Sequence, residues 1–332
     1  MTARIGKGKA SGSDRQGRRS KARMSAFFFG GAVLAVVVSE FSLRLGLGLG
    51  NPILIAEDPA CAYILKPDQD VVRFFVHTQI NHFGMRSDEV PTERTAGALR
   101  LMFVGDSITY GTTRVDQREI FTEELHHDLP AIVHRPVEVL NASAGGWAPD
   151  NELSYLQSRG VFQSNFVFVV LNDGDLTQRR STIVDVTDEL PLKRPATAIG
   201  ELYERYIRPR MAQFIGKADA GDSIVGNPAE VIHENLEDLD RMNELAKSQG
   251  SRLLIIYIPF RSNAPERSAT SAAILSAWSR AHLVPMCDLT AAEARYATNE
   301  ITLDDGIHLN AKGHHVIAQA IERSWAGLAG GQ

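Results

Sequence analysis

The chain has 332 residues, 44% of them hydrophobic, and a formal net charge of −5. It is long and apolar enough for one large buried core or two small ones, and it lacks the basic balance of a nucleic-acid-binding domain. Two cysteines, Cys61 and Cys287, are too few to staple a fold of this size and match no metal-site spacing, so they stand as free thiols or, in an oxidising compartment, as one pair.

Charge is uneven along the chain. Residues 1–23 carry eight Lys or Arg against one acid, Asp14, and almost nothing apolar to bury, which predicts a disordered basic tail. An unbroken small and apolar run follows, Ala26 to Val38. Positive charge ahead of such a run is an export signal whose basic flank stays in the cytoplasm. The run alone suits a cleavable signal peptide. No small-x-small cleavage site follows it, however, and Met24 to Leu43 has about the 20 residues that cross a bilayer. The expectation is an uncleaved single-pass anchor over residues 24–45, with the remainder outside the cytoplasmic membrane; secretion after cleavage is the alternative. Glu40 and Arg44, at i and i+4, would then pair near the outer interface.

Residues 46–98 read as a linker and N-terminal extension with short strands, among them an edge strand over 71–81 (VVRFFVHTQIN). From residue 99 to 329 the pattern becomes that of a single α/β domain. Apolar runs at 99–105, 137–143, 166–172, 252–260 and 284–289 alternate with helical spacing near 117–129, 150–160, 230–249, 270–282 and 311–327. That alternation predicts a parallel sheet covered on both faces, with its chemistry beyond the carboxyl ends of the strands. Residues 174–229 are too long for a simple crossover and read as an insertion holding a helix over 201–215.

Directly after the first run comes Gly105-Asp106-Ser107-Ile108-Thr109-Tyr110-Gly111. A serine at a strand tip that opens a helix is placed as a nucleophile, with helix-start N–H groups beside it to hold an oxyanion. The same letters also suit an ordinary helix cap. Near the other end, Asp305-Gly306-Ile307-His308 sits before the last helix. An aspartate three residues before a loop histidine can take the imidazole Nδ1–H, leaving Nε2 to accept a serine proton. His314 and His315, on the helix itself, read as packing or surface residues. After the second run, Asn141-Ala142-Ser143-Ala144-Gly145-Gly146-Trp147 offers a glycine N–H that a ligand can approach closely. After the third, Asn172 offers a side-chain amide.

These four blocks together resemble the SGNH hydrolase superfamily, the GDSL esterases and lipases. GDSITYG matches the first block with Ser107 as nucleophile. NASAGGW matches the second, with Gly146 as the oxyanion glycine and Gly145 as runner-up. Leu171-Asn172-Asp173 matches the third, with Asn172 as the oxyanion amide, and DGIH matches the last with Asp305 and His308. Where the family's third block carries glycine, this chain has Val170. The resemblance implies a flavodoxin-like three-layer α/β/α sandwich with a five-stranded parallel sheet, the SGNH hydrolase fold. It implies hydrolysis of a carboxylic ester through an acyl-enzyme with no cofactor and no metal. Its expected partner is a small-molecule or carbohydrate acyl ester, with the membrane as anchor. Three alternatives share the same residues or fold: an O-acyltransferase on extracytoplasmic polysaccharide, a lipase or thioesterase, and a non-catalytic carbohydrate-binding protein.

Overall fold

In the computed structural model, which describes residues 12–186, 190–214, 227–260 and 265–330, helix α1 (Gly12–Leu47) leads into two antiparallel hairpins. These are β1 (Ile55–Asp58) with β2 (Ala62–Leu65), and β3 (Gln69–Arg73) with β4 (Val76–Ile80). Helices and strands then alternate: β5 (Leu99–Gly105), α2 (Ser107–Tyr110), α3 (Phe121–Val133), β6 (Val137–Ser143), α4 (Pro149–Arg159) and β7 (Phe166–Leu171). Short helices α5 (Ile183–Val186), α6 (Ala198–Glu201) and α7 (Arg208–Phe214) lie before α8 (Pro228–Ser248). The chain continues through β8 (Arg252–Tyr257), α9 (Pro265–His282), β9 (Met286–Asp288), α10 (Thr290–Glu293), α11 (Thr298–Ile301) and α12 (Ala311–Ala329).

Strands β6-β5-β7-β8-β9, in that order, form one all-parallel sheet. The strand runs are largely apolar because both faces are covered; all seven residues of β5 are buried, including Arg100, which pairs with Glu138 of β6. Alternate side chains divide between the faces. Leu101, Phe103 and Phe168 pack with Leu125 of α3 and Ile317 and Ile321 of α12. Met102, Val104 and Val169 pack with Leu156 of α4, Met242 of α8 and Leu275 of α9. The result is the expected flavodoxin-like α/β/α sandwich. Its strand order reverses between β5 and β7, the switch point at which such sheets open a crevice. The two cysteines are buried, free and in opposite layers, so the sheet stands between them and no disulfide joins them.

Three expectations need correction. Residues 46–98 are not a linker: Ile53, Ile55, Tyr63, Leu65, Val71 and Met85 are buried in the same layer as α4 and α8. Their alternation is short and broken, which hides the burial from a pattern search. The expected single strand over 71–81 is a hairpin, because Phe74 and Phe75 take positive φ (49° and 66°) and turn the chain back. Residues 12–23 continue α1 as helix instead of standing disordered; Arg, Lys, Gln and Ala propagate a helix that an apolar segment has begun. Residues 1–11 of the basic tail lie outside the described residues. The helix expected at 201–215 runs from Ala198 to Phe214, with a π segment at Leu202–Ile207 just before Pro209; Ile215 and residues 216–226 are likewise outside the description. Pro209 has no N–H to give the preceding turn, and a π segment absorbs that defect.

The hairpin region is fastened to the sandwich by Arg86, whose side chain is fully buried. Its Nε donates to Gln117 Oε1 at 3.1 Å, and its guanidinium donates to the carbonyls of Tyr110 and Val115 at 2.7 Å each and to that of Thr112. Those carbonyls belong to the last residue of α2 and the loop that follows it, so one side chain shapes the segment behind Ser107. Arg86→Met leaves several buried carbonyls unpaired, each costing about 1–3 kcal/mol. The expected loss is at least about 3 kcal/mol, read as a lowered urea midpoint with unchanged m.

Candidate active site

Ser107 is the first residue of α2, directly beyond β5. Its N–H therefore has no acceptor within its own helix. Asp106 caps that helix, its Oδ1 accepting from Ile108 N at 2.8 Å. Gly105 has no room for a side chain: a Cβ there would lie 2.2 Å from Thr109 Oγ1 and 3.1 Å from the Val170 carbonyl oxygen. The helix-cap reading and the nucleophile reading of this motif thus apply to neighbouring residues.

The Asp305–His308 loop meets Ser107 from the other side of the sequence. His308 Nε2 is 2.9 Å from Ser107 Oγ, and His308 Nδ1 is 3.1 Å from Asp305 Oδ2. Asp305 Oδ1 also accepts from the N–H groups of Ile307 and His308 at 2.9 Å each. Burial raises the Asp305 pKa, but those two N–H bonds and the imidazole outweigh it and hold the carboxyl below its ordinary range. An ionised Asp305 at neutral pH favours the Nδ1–H tautomer, which leaves Nε2 with its lone pair toward Ser107 Oγ. Arg114 ties this loop to the one after α2: it pairs with Asp304, and its guanidinium lies 3.6 Å from Asp305 Oδ2. Nothing in the spacing of Arg114 marked it beforehand.

Ser107, His308, Tyr110, Gly145, Leu190 and Leu303 line a cavity of about 190 Å³. A second cavity, about 260 Å³ beside Ile232, Arg267 and Ile274, contains none of the five predicted site residues. Gly145 and Gly146 follow β6, and Gly146 has φ 79°. A Cβ on Gly145 would lie 3.9 Å from Ser107 Cβ, whereas one on Gly146 would lie 2.8 Å from Val186 Cγ1. The Gly145 carbonyl accepts a 2.9 Å hydrogen bond from the Tyr63 hydroxyl of β2. In a trans peptide the N–H opposes the carbonyl, so the Gly146 N–H points away from Tyr63. Sequence reasoning missed Tyr63 because it sits in the region read as a linker.

Asn172 follows β7 and is buried. Its Nδ2 donates to Asp106 Oδ2 at 2.9 Å, its Oδ1 accepts from Gly174 N at 2.6 Å, and its own N–H goes to Asp175 Oδ2 at 2.7 Å. One of its two amide hydrogens is therefore engaged by the residue before Ser107. Val170, where the family pattern has glycine, packs in the α3/α12 layer. His314, read as a packing residue, is fully buried: its Nδ1 accepts from Phe121 N at 3.3 Å, and burial depresses its pKa to about 3.

Behind Ser107 lie buried carboxyls. Burial raises the pKa of Asp106, and burial with the charge of Asp106 raises Glu152 and Asp175 well above the usual range. Both oxygens of Glu152 are without a hydrogen-bond partner. Among the described residues no cluster of His, Cys, Asp or Glu is arranged to hold a metal ion.

No family model matches the chain, and no curated protein matches it. Solved structures do overlap it. TesA overlaps with TM-score 0.46 at 16% identity, over 69% of this chain and 99% of that one. A lipase/acylhydrolase from Enterococcus faecalis overlaps with TM-score 0.44 at 18% identity, over 69% and 96%. The psychrotrophic esterase EstA from Pseudoalteromonas sp. overlaps with TM-score 0.44 at 11% identity, over 70% and 98%. At such identities the function of this chain rests on its own side chains.

Two outcomes are expected. Tyr63→Phe frees the Gly145 carbonyl and loosens the glycine turn; kcat should fall about tenfold, ~1.4 kcal/mol, with KM little changed. Glu152 has a folded pKa raised above its unfolded one, so its stabilising protonated state is complete below the ordinary carboxylate range and lost as pH rises through the raised value. Glu152→Gln should therefore raise the urea midpoint near pH 8 more than near pH 4.

Proposed function

We propose that this chain is a serine esterase of the SGNH hydrolase type, acting on short-chain O-acyl esters of small molecules or carbohydrates. The observation that carries this is the continuous chain of contacts from Ser107 Oγ through His308 to Asp305. Ser107 Oγ attacks the ester carbonyl and passes its proton to His308 Nε2. The carbonyl π electrons move to oxygen, giving a tetrahedral oxyanion. Asp305 holds the imidazolium that forms. Collapse expels the alcohol, which takes the proton from His308, and leaves an acyl-serine. Water then repeats the attack with His308 as base, releasing the acid and restoring Ser107.

The oxyanion is received by the N–H groups of Ser107 and Gly146 and the second amide hydrogen of Asn172. The free helix-start position of Ser107, the Tyr63 hold on the glycine turn, and the Asp106 hold on the Asn172 amide support that set. A short acyl group is supported by the cavity, about 190 Å³ and below the roughly 300–1,000 Å³ typical of drug-sized ligands. Leu190 and Leu303 supply its apolar wall.

Helix α1 contains a stretch, Arg23–Leu47, long and apolar enough to cross a membrane, and residues 23–39 of it are exposed along their whole length. The proposal includes its role as an uncleaved anchor, with residues 48–330 on the outer side. The basic flank before it supports that orientation.

A fluorophosphonate probe should label Ser107 in the full chain and fail to label Ser107→Ala, which should hydrolyse no nitrophenyl acetate. Asn172→Ala should keep labelling but lose on the order of 10²–10³ in kcat. Undiminished turnover in Ser107→Ala or His308→Ala overturns the proposal.

A further inference from the structure

The outer end of α1 is built into the domain. Glu40 accepts from the N–H groups of Ala198 and Ile199 at 2.8 and 3.0 Å, capping α6, and Arg44 donates to Glu40 and to the Ala196 carbonyl. One turn on, Gly50 N donates to Glu201, which also pairs with the buried Arg73 of β3 at 2.6 Å. Phe74 N donates to the Leu47 carbonyl at 3.0 Å, and the Phe74 ring meets Tyr206 edge-on at 5.5 Å. The end of α1, the β3–β4 tip and the α6–α7 run are thus one connected body.

That body displays apolar side chains to solvent. Along the helical run Tyr203, Ile207 and Met211 are 49%, 40% and 53% exposed. They stand at i, i+4 and i+8, and the π segment, with a longer period than an α-helix, keeps that spacing on one face. At the hairpin tip Phe75 is 84% exposed, and Leu45 of α1 is 85% exposed. The tip turn is of the kind that favours Asn-Gly, yet two phenylalanines occupy its positive-φ positions, at a cost of about 1–2 kcal/mol each. Backbone strain kept in order to present aromatic rings to the outside is a functional signal. Basic residues edge the patch: Lys193 and Arg194 before the run, and Arg208 and Arg210 within it, against Glu204.

We propose that this patch, the Tyr203–Ile207–Met211 strip with the Phe74–Phe75 tip, rests in the outer interfacial layer of the bilayer that α1 spans. The inference depends on α1 being a membrane span. Continuity with the end of α1 puts the patch at the membrane surface, because the contacts begin at Glu40, near the outer end of the apolar stretch. Interfacial aromatic rings and an amphipathic helix with flanking Arg and Lys suit the headgroup zone and its phosphates. The anchor and the patch together hold the domain, and with it the Ser107 crevice, in one orientation over the membrane instead of letting it swing on a tether.

The test uses the full chain in phosphatidylcholine/phosphatidylglycerol vesicles, with an environment-sensitive fluorophore on Phe75→Cys, Ile207→Cys, Met211→Cys or, as reference, Val33→Cys. The unsubstituted chain, whose Cys61 and Cys287 are buried, corrects for background. Lipid brominated near the headgroup should quench the Phe75, Ile207 and Met211 labels at least about twofold, as expected for side chains about 5–10 Å into the interface. Lipid brominated near the chain ends should quench Val33 and leave the other three unaffected. Quenching at Val33 with none at the three patch positions overturns the patch proposal and leaves the anchor standing; a patch shielded from water in that case belongs to a second copy of the chain. No quenching at Val33 overturns the anchor, and the patch proposal with it. The esterase assay on the same samples is independent of either result.

Discussion

A parallel sheet ends all of its strands along one edge, and this molecule depends on that constraint. Ser107, Gly145–Gly146 and Asn172 follow β5, β6 and β7, neighbours in the sheet though far apart in sequence. The edge brings Ser107 and Gly145 to one cavity, with Gly146 and Asn172 directly beside them, without any long-range contact specified in advance. The loop that leads into α12 needs only to turn its imidazole inward for His308 to reach Ser107.

The site is held from behind by polar groups that take no part in the proposed chemistry. Asp106 accepts from both Ile108 N and Asn172 Nδ2, so it sets the helix start and the amide together. Asp175 takes the Asn172 N–H, Tyr63 the Gly145 carbonyl, and Arg114 reaches the Asp304–Asp305 corner. Such supports matter because small displacements of a donor from the developing charge cost rate steeply. They also concentrate carboxyl groups in a dry place. Asp106, Asp175 and Glu152 are buried together; burial raises the pKa of all three, and the charge of Asp106 adds to it at Glu152 and Asp175.

The N-terminal hairpins connect both ends of the protein's task. One of them carries Tyr63 to the glycine turn, the other carries Phe74 and Phe75 to the end of α1, and Arg86 between them and the sandwich shapes the loop after Ser107. The segment between α1 and the sheet is therefore a structural part of the domain and not a spacer.

Most of the sheet was legible from residue order. The five apolar runs mark β5 to β9, with β5 and β6 matched to the residue, because a strand covered on both faces is apolar over most of its length. GDSITYG and DGIH were legible as the segments whose side chains meet because a Ser–His–Asp arrangement needs particular residue types at particular local spacing. Composition likewise marked the membrane-length helix. What no pattern revealed was everything that depends on which elements become neighbours: the burial of residues 53–85, the turn at Phe74–Phe75, and the roles of Tyr63, Arg86, Arg114 and Asp175. Local sequence determines periodicity, caps and breaks, since these act over a few residues. Only tertiary folding brings a hydroxyl from β2 to a carbonyl after β6, or a histidine to a serine 201 positions away, because such contacts are selected by the packing of whole layers and leave no local trace.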